Sequence, residues 1–267
     1  MVFLHGGVPG VTPYASGGHL WGSVLAQFST TATVLAIDSP GAGGTDLPTG
    51  PLTLDAIVAH AVACLERQGI RRAHWVGHDL GGLAALVIAM RHPQLVEALS
   101  IVASAAASPS GDMAENLTLA YPPVPRWSRA SQAWALERIS YSNAHIDEPL
   151  LADCMQAAAG EPHRLAVERQ ASLGDALAAS IAAAKADVYE ACRNRGIERP
   201  VQIILGSHDP LVTVDQSMAL FRLIAARQRA AHLHVINRAG SLPFREAPKA
   251  FYQLVTAFGA GLRSETR

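Results

Sequence analysis

The chain has 267 residues, 49% of them hydrophobic, which is enough apolar mass for one large core with a sizeable insertion rather than several independent bodies. A net charge of -1, with the basic residues scattered, offers no field for a phosphate backbone, so nucleic acid is not an expected partner. Cys64, Cys154 and Cys192 lie far apart without metal-ligand spacing, which argues against a disulfide framework or zinc site and fits a cytoplasmic location. No apolar run reaches spanning length, and residues 1 to 4 run straight into His5-Gly6-Gly7 without a leader pattern, so no membrane association is expected.

In chain order, short apolar runs alternate with helical patterns, the signature of a parallel sheet covered by helices on both faces. Residues 2–4 form the first strand candidate, followed by His5-Gly6-Gly7-Val8-Pro9-Gly10, and residues 33–37 form the second, closed by the glycine loop Asp38 to Asp46. Leu54, Ile57, Val58, Ala61, Val62 and Leu65 share one helical face, with Thr53 as N-cap and Gly69 as stop. A strand over 74–76 runs into Gly77-His78-Asp79-Leu80-Gly81-Gly82 and a helix carrying Leu83, Leu86, Val87 and Met90; residues 99–102 form the next strand.

From about Ser108 to Gly196 no good strand occurs, and helices are expected over 126–142, 148–159 and 164–193, the last broken at Gly174. The alternation then resumes with a strand over 201–205, the capping box Thr213-x-x-Gln216, a strand over 233–236 and a last helix bearing Phe251, Leu254, Val255 and Phe258 behind Pro248. This predicts a core domain of residues 1–107 with 197–267 and a helical cap domain of residues 108–196.

Gly77 and Gly81 sit two residues before and after Asp79, the arrangement that lets a strand turn sharply into a helix with the middle residue strained and its side chain projecting into a pocket. Asp is also among the preferred helix N-caps, which is the plainer role for a lone Gly-x-Asp-x-Gly. Here it is accompanied by His5-Gly6-Gly7, whose Gly7 amide would join the Leu80 amide in holding an oxyanion.

With these pieces in order the chain resembles the α/β-hydrolase superfamily over nearly its whole length: His5-Gly6, the 38–46 loop, the 77–82 elbow, and Gly206-Ser207-His208-Asp209-Pro210-Leu211-Val212. The resemblance implies a doubly wound, mostly parallel sheet with the cap inserted after the family's sixth strand. It puts Asp79 at the nucleophile position, as in epoxide hydrolases and haloalkane dehalogenases, and Asp209 at the acid position. The loop from Asn237 to Pro248 resembles the family's histidine loop, but Ser241 stands where the histidine belongs. Serine lacks the basicity to activate water against an ester on Asp79. His208, beside Asp209, is the alternative base; His5 and His78 are expected to pack around the loops.

Leu80 and Gly7 occupy places where haloalkane dehalogenases resemble this chain but carry a halide-holding Trp and Asn, so no halide cradle is visible. Tyr121, Tyr141 and Tyr189 lie in the insertion, as the ring-protonating tyrosines of epoxide hydrolases do, without a spacing that marks a pair. The His-Gly-Gly-x-Pro-Gly form also resembles carbon–carbon bond hydrolases of ring-cleavage products, which use Ser at the elbow. The family begins with a two-strand hairpin ahead of the His-Gly strand, whereas this chain starts at that strand, so either a sheet of about six strands or a missing upstream segment is expected.

The expected function is a small-molecule hydrolase with Asp79 at the nucleophile position and an atypical or missing base; the alternatives are a lyase, isomerase, cyclase or direct water-attack reaction with Asp79 as general acid or base, and a ligand-binding protein that has lost catalysis. A largely apolar small molecule is the expected partner, no metal or organic cofactor is implied, and the oligomeric state is left undetermined.

Overall fold

The computed structural model describes residues 1–109 and 116–265. Its centre is a parallel sheet of six strands: β1 (Val2–Leu4), β2 (Leu35–Ile37), β3 (Ala73–His78), β4 (Val96–Val102), β5 (Val201–Gly206) and β6 (Ala231–Ile236). Their spatial order is β2-β1-β3-β4-β5-β6, with register pairs Phe3 to Ala36, Phe3 to Val76, Gly77 to Ile101, and Ile101 to Ile203. Every residue of β1, β3 and β5 is buried, as a strand covered on both faces requires, so continuous apolar runs replace strict alternation.

The two-residue period of a strand divides its side chains between two core layers. On one face Leu4, Trp75, Leu99, Ile101 and Ile203 meet α2 (Leu54–Arg67), α3 (Leu80–Arg91) and α8 (Val214–Ala225). On the other, Phe3, Val76, Val102 and Ile204 meet α1 (Val24–Ser29), α9 (Pro243–Glu246) and α10 (Pro248–Glu265) through Phe28, Phe244, Phe251 and Val255. Each such fully buried aromatic contributes roughly 1.5–3 kcal/mol over exposure.

The punctuation acts as its chemistry suggests. Thr53 accepts the Ala56 amide at the start of α2, Thr213 and Gln216 form both bonds of a capping box on α8, and Gly69 follows α2 at φ 66°.

Between β4 and β5 lies the helical cap: α4 (Arg129–Arg138), α5 (Glu148–Ala159), α6 (Glu161–Glu168) and α7 (Gln170–Asn194). Two expectations need correction here. The helix expected over 126–142 is shorter, because Ser128 caps it at Arg129 and Ser140 turns its hydroxyl back to the Leu136 carbonyl. The long helix expected over 164–193 is broken at Arg169, not at Gly174. Pro162 in the first turn starts α6 early. α7 runs through Gly174, whose helix penalty of about 1 kcal/mol is small beside the packing of Leu177, Ala184 and Val188. Among the described residues, no helix is long and apolar enough to cross a membrane.

Candidate active site

β3 ends at His78 and α3 begins at Leu80, leaving Asp79 to make the turn at φ 46°, ψ -111°. For a non-glycine residue this backbone costs on the order of 1–3 kcal/mol and persists only where its surroundings enforce it. Those surroundings are specific. The Asp79 amide donates to the Val102 carbonyl at 3.0 Å, and Ser104 Oγ donates to the Asp79 carbonyl at 2.6 Å. A Cβ on Gly81 would collide with the Leu4 backbone carbonyl, so only glycine lets α3 close on β1. A Cβ on Gly6 would stand 2.7 Å from the Asp79 Cβ, which shows how tightly the loop after β1 lies against the elbow.

Asp79 occupies the N-cap position of α3, yet its side chain makes no capping bond. Its Oδ1 instead accepts the Ala106 amide at 3.3 Å, turning the carboxylate toward the 104–107 turn after β4. Among the described residues, the amides of Gly7 and Leu80 have no acceptor, so both donors flanking the elbow are available to a ligand oxygen.

Asp209, in the loop after β5, is 7% exposed. Its Oδ1 accepts the Leu211 amide at 2.8 Å, the Val212 amide at 3.2 Å and the Ser241 hydroxyl at 2.5 Å, while Oδ2 is buried without a partner. Burial raises its pKa to about 6; the three hydrogen bonds pull against that, and the charge of Asp79 adds to it. Ser241 is itself held from the cap side, its amide donating to the Ile139 carbonyl at 2.8 Å. The structure thus joins Asp209 to Ser241 directly and sets Asp79 within electrostatic reach of Asp209.

His208 lies elsewhere: exposed, with Nδ1 on the Ser207 hydroxyl at 2.8 Å and its ring against Tyr141 at 4.6 Å. His5 and His78 tie loops together. His5 Nε2 accepts the Ser39 amide at 2.9 Å, so its proton sits on Nδ1, facing the Gly6 carbonyl at 2.8 Å. His78 Nε2 lies 3.0 Å from the Ser241 carbonyl, to which it donates, and its ring is edge-on to Trp21 and Phe244. Burial pushes both imidazoles below their usual range.

Two groups that the motifs did not point to also lie within electrostatic reach of Asp79. Tyr14, 4% exposed in the loop after β1, is raised above the ordinary phenol range by burial and then by the charges of Asp79, Cys154 and Asp209. Its backbone neighbour Ala15 is anchored to Gln132 on α4 at 2.9 Å. Lys185 on α7 is the second: burial lowers its pKa while the charge of Asp79 draws it back. Position in the His-Gly-Gly loop was an available signal for Tyr14; for Lys185 it was the rarity of lysine, present only at 185 and 249.

Known proteins repeat this architecture. The chain is 26% identical over 267 residues to a 2-hydroxy-6-oxononadienedioate/2-hydroxy-6-oxononatrienedioate hydrolase of Cupriavidus pinatubonensis, covering 97% of this chain and 86% of that protein. It is 27% identical over 242 residues to 3-oxoadipate enol-lactonase 2 of Acinetobacter baylyi, covering 89% and 82%. A 35% match to 2-hydroxymuconate semialdehyde hydrolase of Pseudomonas sp. (strain CF600) extends over 109 residues, 40% of this chain and 37% of that one. A solved meta-cleavage product hydrolase from Pseudomonas fluorescens IP01 superposes with a TM-score of 0.76 at 24% identity, covering 96% and 89%, a likeness of fold. The curated relatives are named for a 2-hydroxy-6-oxo-nonadienedioate or -nonatrienedioate, an enol-lactone and a 2-hydroxymuconate semialdehyde, so the epoxide-hydrolase-like subtype suggested by Asp79 draws no support from them. The model of the Alpha/beta hydrolase family matches residues 1–254, from β1 into α10, and the chain therefore belongs to that family.

Proposed function

We propose that the protein hydrolyses a small, largely apolar carbonyl compound of the enol-lactone or ring-cleavage-ketone class, bound between the core (residues 1–107 and 197–267) and the cap (108–196), with Asp79 as general base on water. Water adds to the carbonyl carbon while Asp79 takes its proton, and the oxygen that becomes negative is held by the Gly7 and Leu80 amides. When the tetrahedral species collapses, the scissile bond breaks and protonated Asp79 returns the proton to the leaving atom. The substrate class rests on the relatives' names and on their coverage of this chain.

The observation that carries this reading is the 2.5 Å bond from Ser241 to Asp209. A covalent ester on Asp79 needs a second base to release it, and the acid that would orient such a base is occupied by a serine hydroxyl. His208 is turned to Ser207 and Tyr141. Direct water attack needs only one base. A second reading, covalent attack by Asp79, is favoured by the strained elbow at φ 46°.

Incubation with 3-oxoadipate enol-lactone and with a 2-hydroxy-6-oxo-dienoate, followed by product assay and intact-mass measurement, tests both. Turnover without an adduct, abolished in Asp79→Asn, is the expected result; an adduct on Asp79 replaces it with the covalent reading. Turnover that survives Asp79→Asn overturns both.

A further inference from the structure

The cap helix α7 grips the turn that cradles Asp79. Lys185 Nζ donates to the Ala105 carbonyl at 3.4 Å, and one helical turn later Tyr189 donates its hydroxyl to the Ala107 carbonyl at 2.9 Å. The same turn is locked to the elbow from below. Ser104 Oγ donates to the Asp79 carbonyl and accepts the Ala107 amide at 3.0 Å, and the Ala106 amide donates to Asp79 Oδ1. The Ala105–Ala106 peptide therefore stands between a cation and a carboxylate, its carbonyl toward Lys185 and its N–H toward Asp79.

We propose that Lys185 is a positioning residue for Asp79, holding and polarising the Ala105–Ala106 peptide so that its N–H fixes the carboxylate, and supplying the counter-charge from the cap. In a trans peptide the carbonyl and N–H point in opposite directions, so fixing one end aims the other. A charged donor on the carbonyl strengthens the hydrogen bond made by the N–H, because bonds in a chain polarise one another. The cap's seating on the core thereby becomes coupled to the orientation of the carboxylate. Asp79 is faced from other elements by Tyr14 in the loop after β1, His78 on β3 and Asp209 after β5. Lys185 is the ammonium among these groups. The catalytic meaning of this arrangement rests on the general-base reading of Asp79, whereas the charge coupling itself can be measured without any substrate.

Only two lysines occur in the chain, so lysine labelled with 13C and 15N gives two side-chain signals, assigned with Lys249→Arg. Asp79→Asn should lower the Lys185 midpoint by about half a pH unit or more, since an opposite charge favours the ammonium, and leave Lys249 where it was. Tyr189→Phe, which loses the neighbouring grip but no charge, should leave the Lys185 midpoint in place. An unchanged Lys185 midpoint in Asp79→Asn overturns the proposal. With the enol-lactone as probe, Lys185→Met should lower kcat about tenfold or more at little change in KM, and Lys185→Arg should recover most of it. If Lys185→Met keeps full kcat while Asp79→Asn loses it, the positioning role fails and the general base stands. If Asp79→Asn keeps its turnover, the general base fails and the titration alone judges the coupling.

Discussion

Ser241 Oγ donates a 2.5 Å hydrogen bond to Asp209 Oδ1 in a site sealed from solvent, where Oδ2 of the same carboxylate has no partner. A neutral donor compensates a buried carboxylate only in part, which is why burial still prevails and the group is pushed up to about 6.

The first prediction is a pH dependence. The folded midpoint of Asp209, about 6, lies above its ordinary value of 3.8, so the folded state binds the proton more tightly than the unfolded one. Its contribution is therefore fully present below pH 4 and is lost as pH rises to about 6, to the extent of about 3 kcal/mol. His5, His78 and His163, lowered by burial, act in the opposite direction as pH falls below the usual imidazole range. Urea unfolding of the wild type and Asp209→Asn from pH 4 to 8 separates the two. The difference in stability should shift against the wild type across pH 4–6 and then level off, and a flat difference would refute it.

Ser241→Ala removes the hydroxyl donor and leaves Oδ1 with the two backbone amides. The buried carboxylate loses compensation, so stability above pH 7 should fall by about 1–3 kcal/mol in urea unfolding. Turnover should suffer far less than in Asp79→Asn, because Ser241 acts on Asp209 and not on water. Loss of activity equal to that of Asp79→Asn, in a folded protein, would assign Ser241 a chemical part.

Tyr14→Phe should leave the fold intact, since the ring stays in the cluster of Phe3, Leu20 and Trp21. Burial and the charges of Asp79 and Asp209 hold the phenol protonated, so it can serve as a neutral hydrogen-bond donor to negative charge developing in the site, while the proton for the leaving atom comes from Asp79. A fall in kcat of about a hundredfold, with Tm unchanged, is expected from steady-state assay and thermal unfolding. An unaltered kcat would confine Tyr14 to packing.

Glycine substitutions should separate close backbone approach from mere loop position. Gly81→Ala sets a methyl group against the Leu4 backbone carbonyl and should cost about 3 kcal/mol or prevent folding. Gly50→Ala, with nothing within 4 Å of the added atom, should leave stability within about 0.5 kcal/mol. Equal effects in chemical denaturation would contradict the packing at the elbow.

Much of the fold was legible because its signals are local. Short buried runs become strands through the two-residue period, Thr53 and Thr213 cap helices through bonds three residues long, and Asp147 fixes α5 at Glu148–Ala159, as the spacing predicts. The elbow was legible for the same reason, since Gly77, Asp79 and Gly81 enforce its turn within one segment. The ends of α4 and the break between α6 and α7 were not, because competing serine and proline contacts, and packing on the core, outweigh propensity there.

The sequence by itself determined that a carboxylate, Asp79, stands between Gly77 and Gly81 and that a serine, Ser241, stands in the loop before the last helix. Only the tertiary structure decided that this serine closes on Asp209, that Asp79 turns from its helix to the 104–107 turn, and that Tyr14 and Lys185 converge on it. Such contacts join residues from separate strands, loops and the cap. Their chemistry comes from burial and mutual charge, quantities that exist only once the sheet has brought distant segments together.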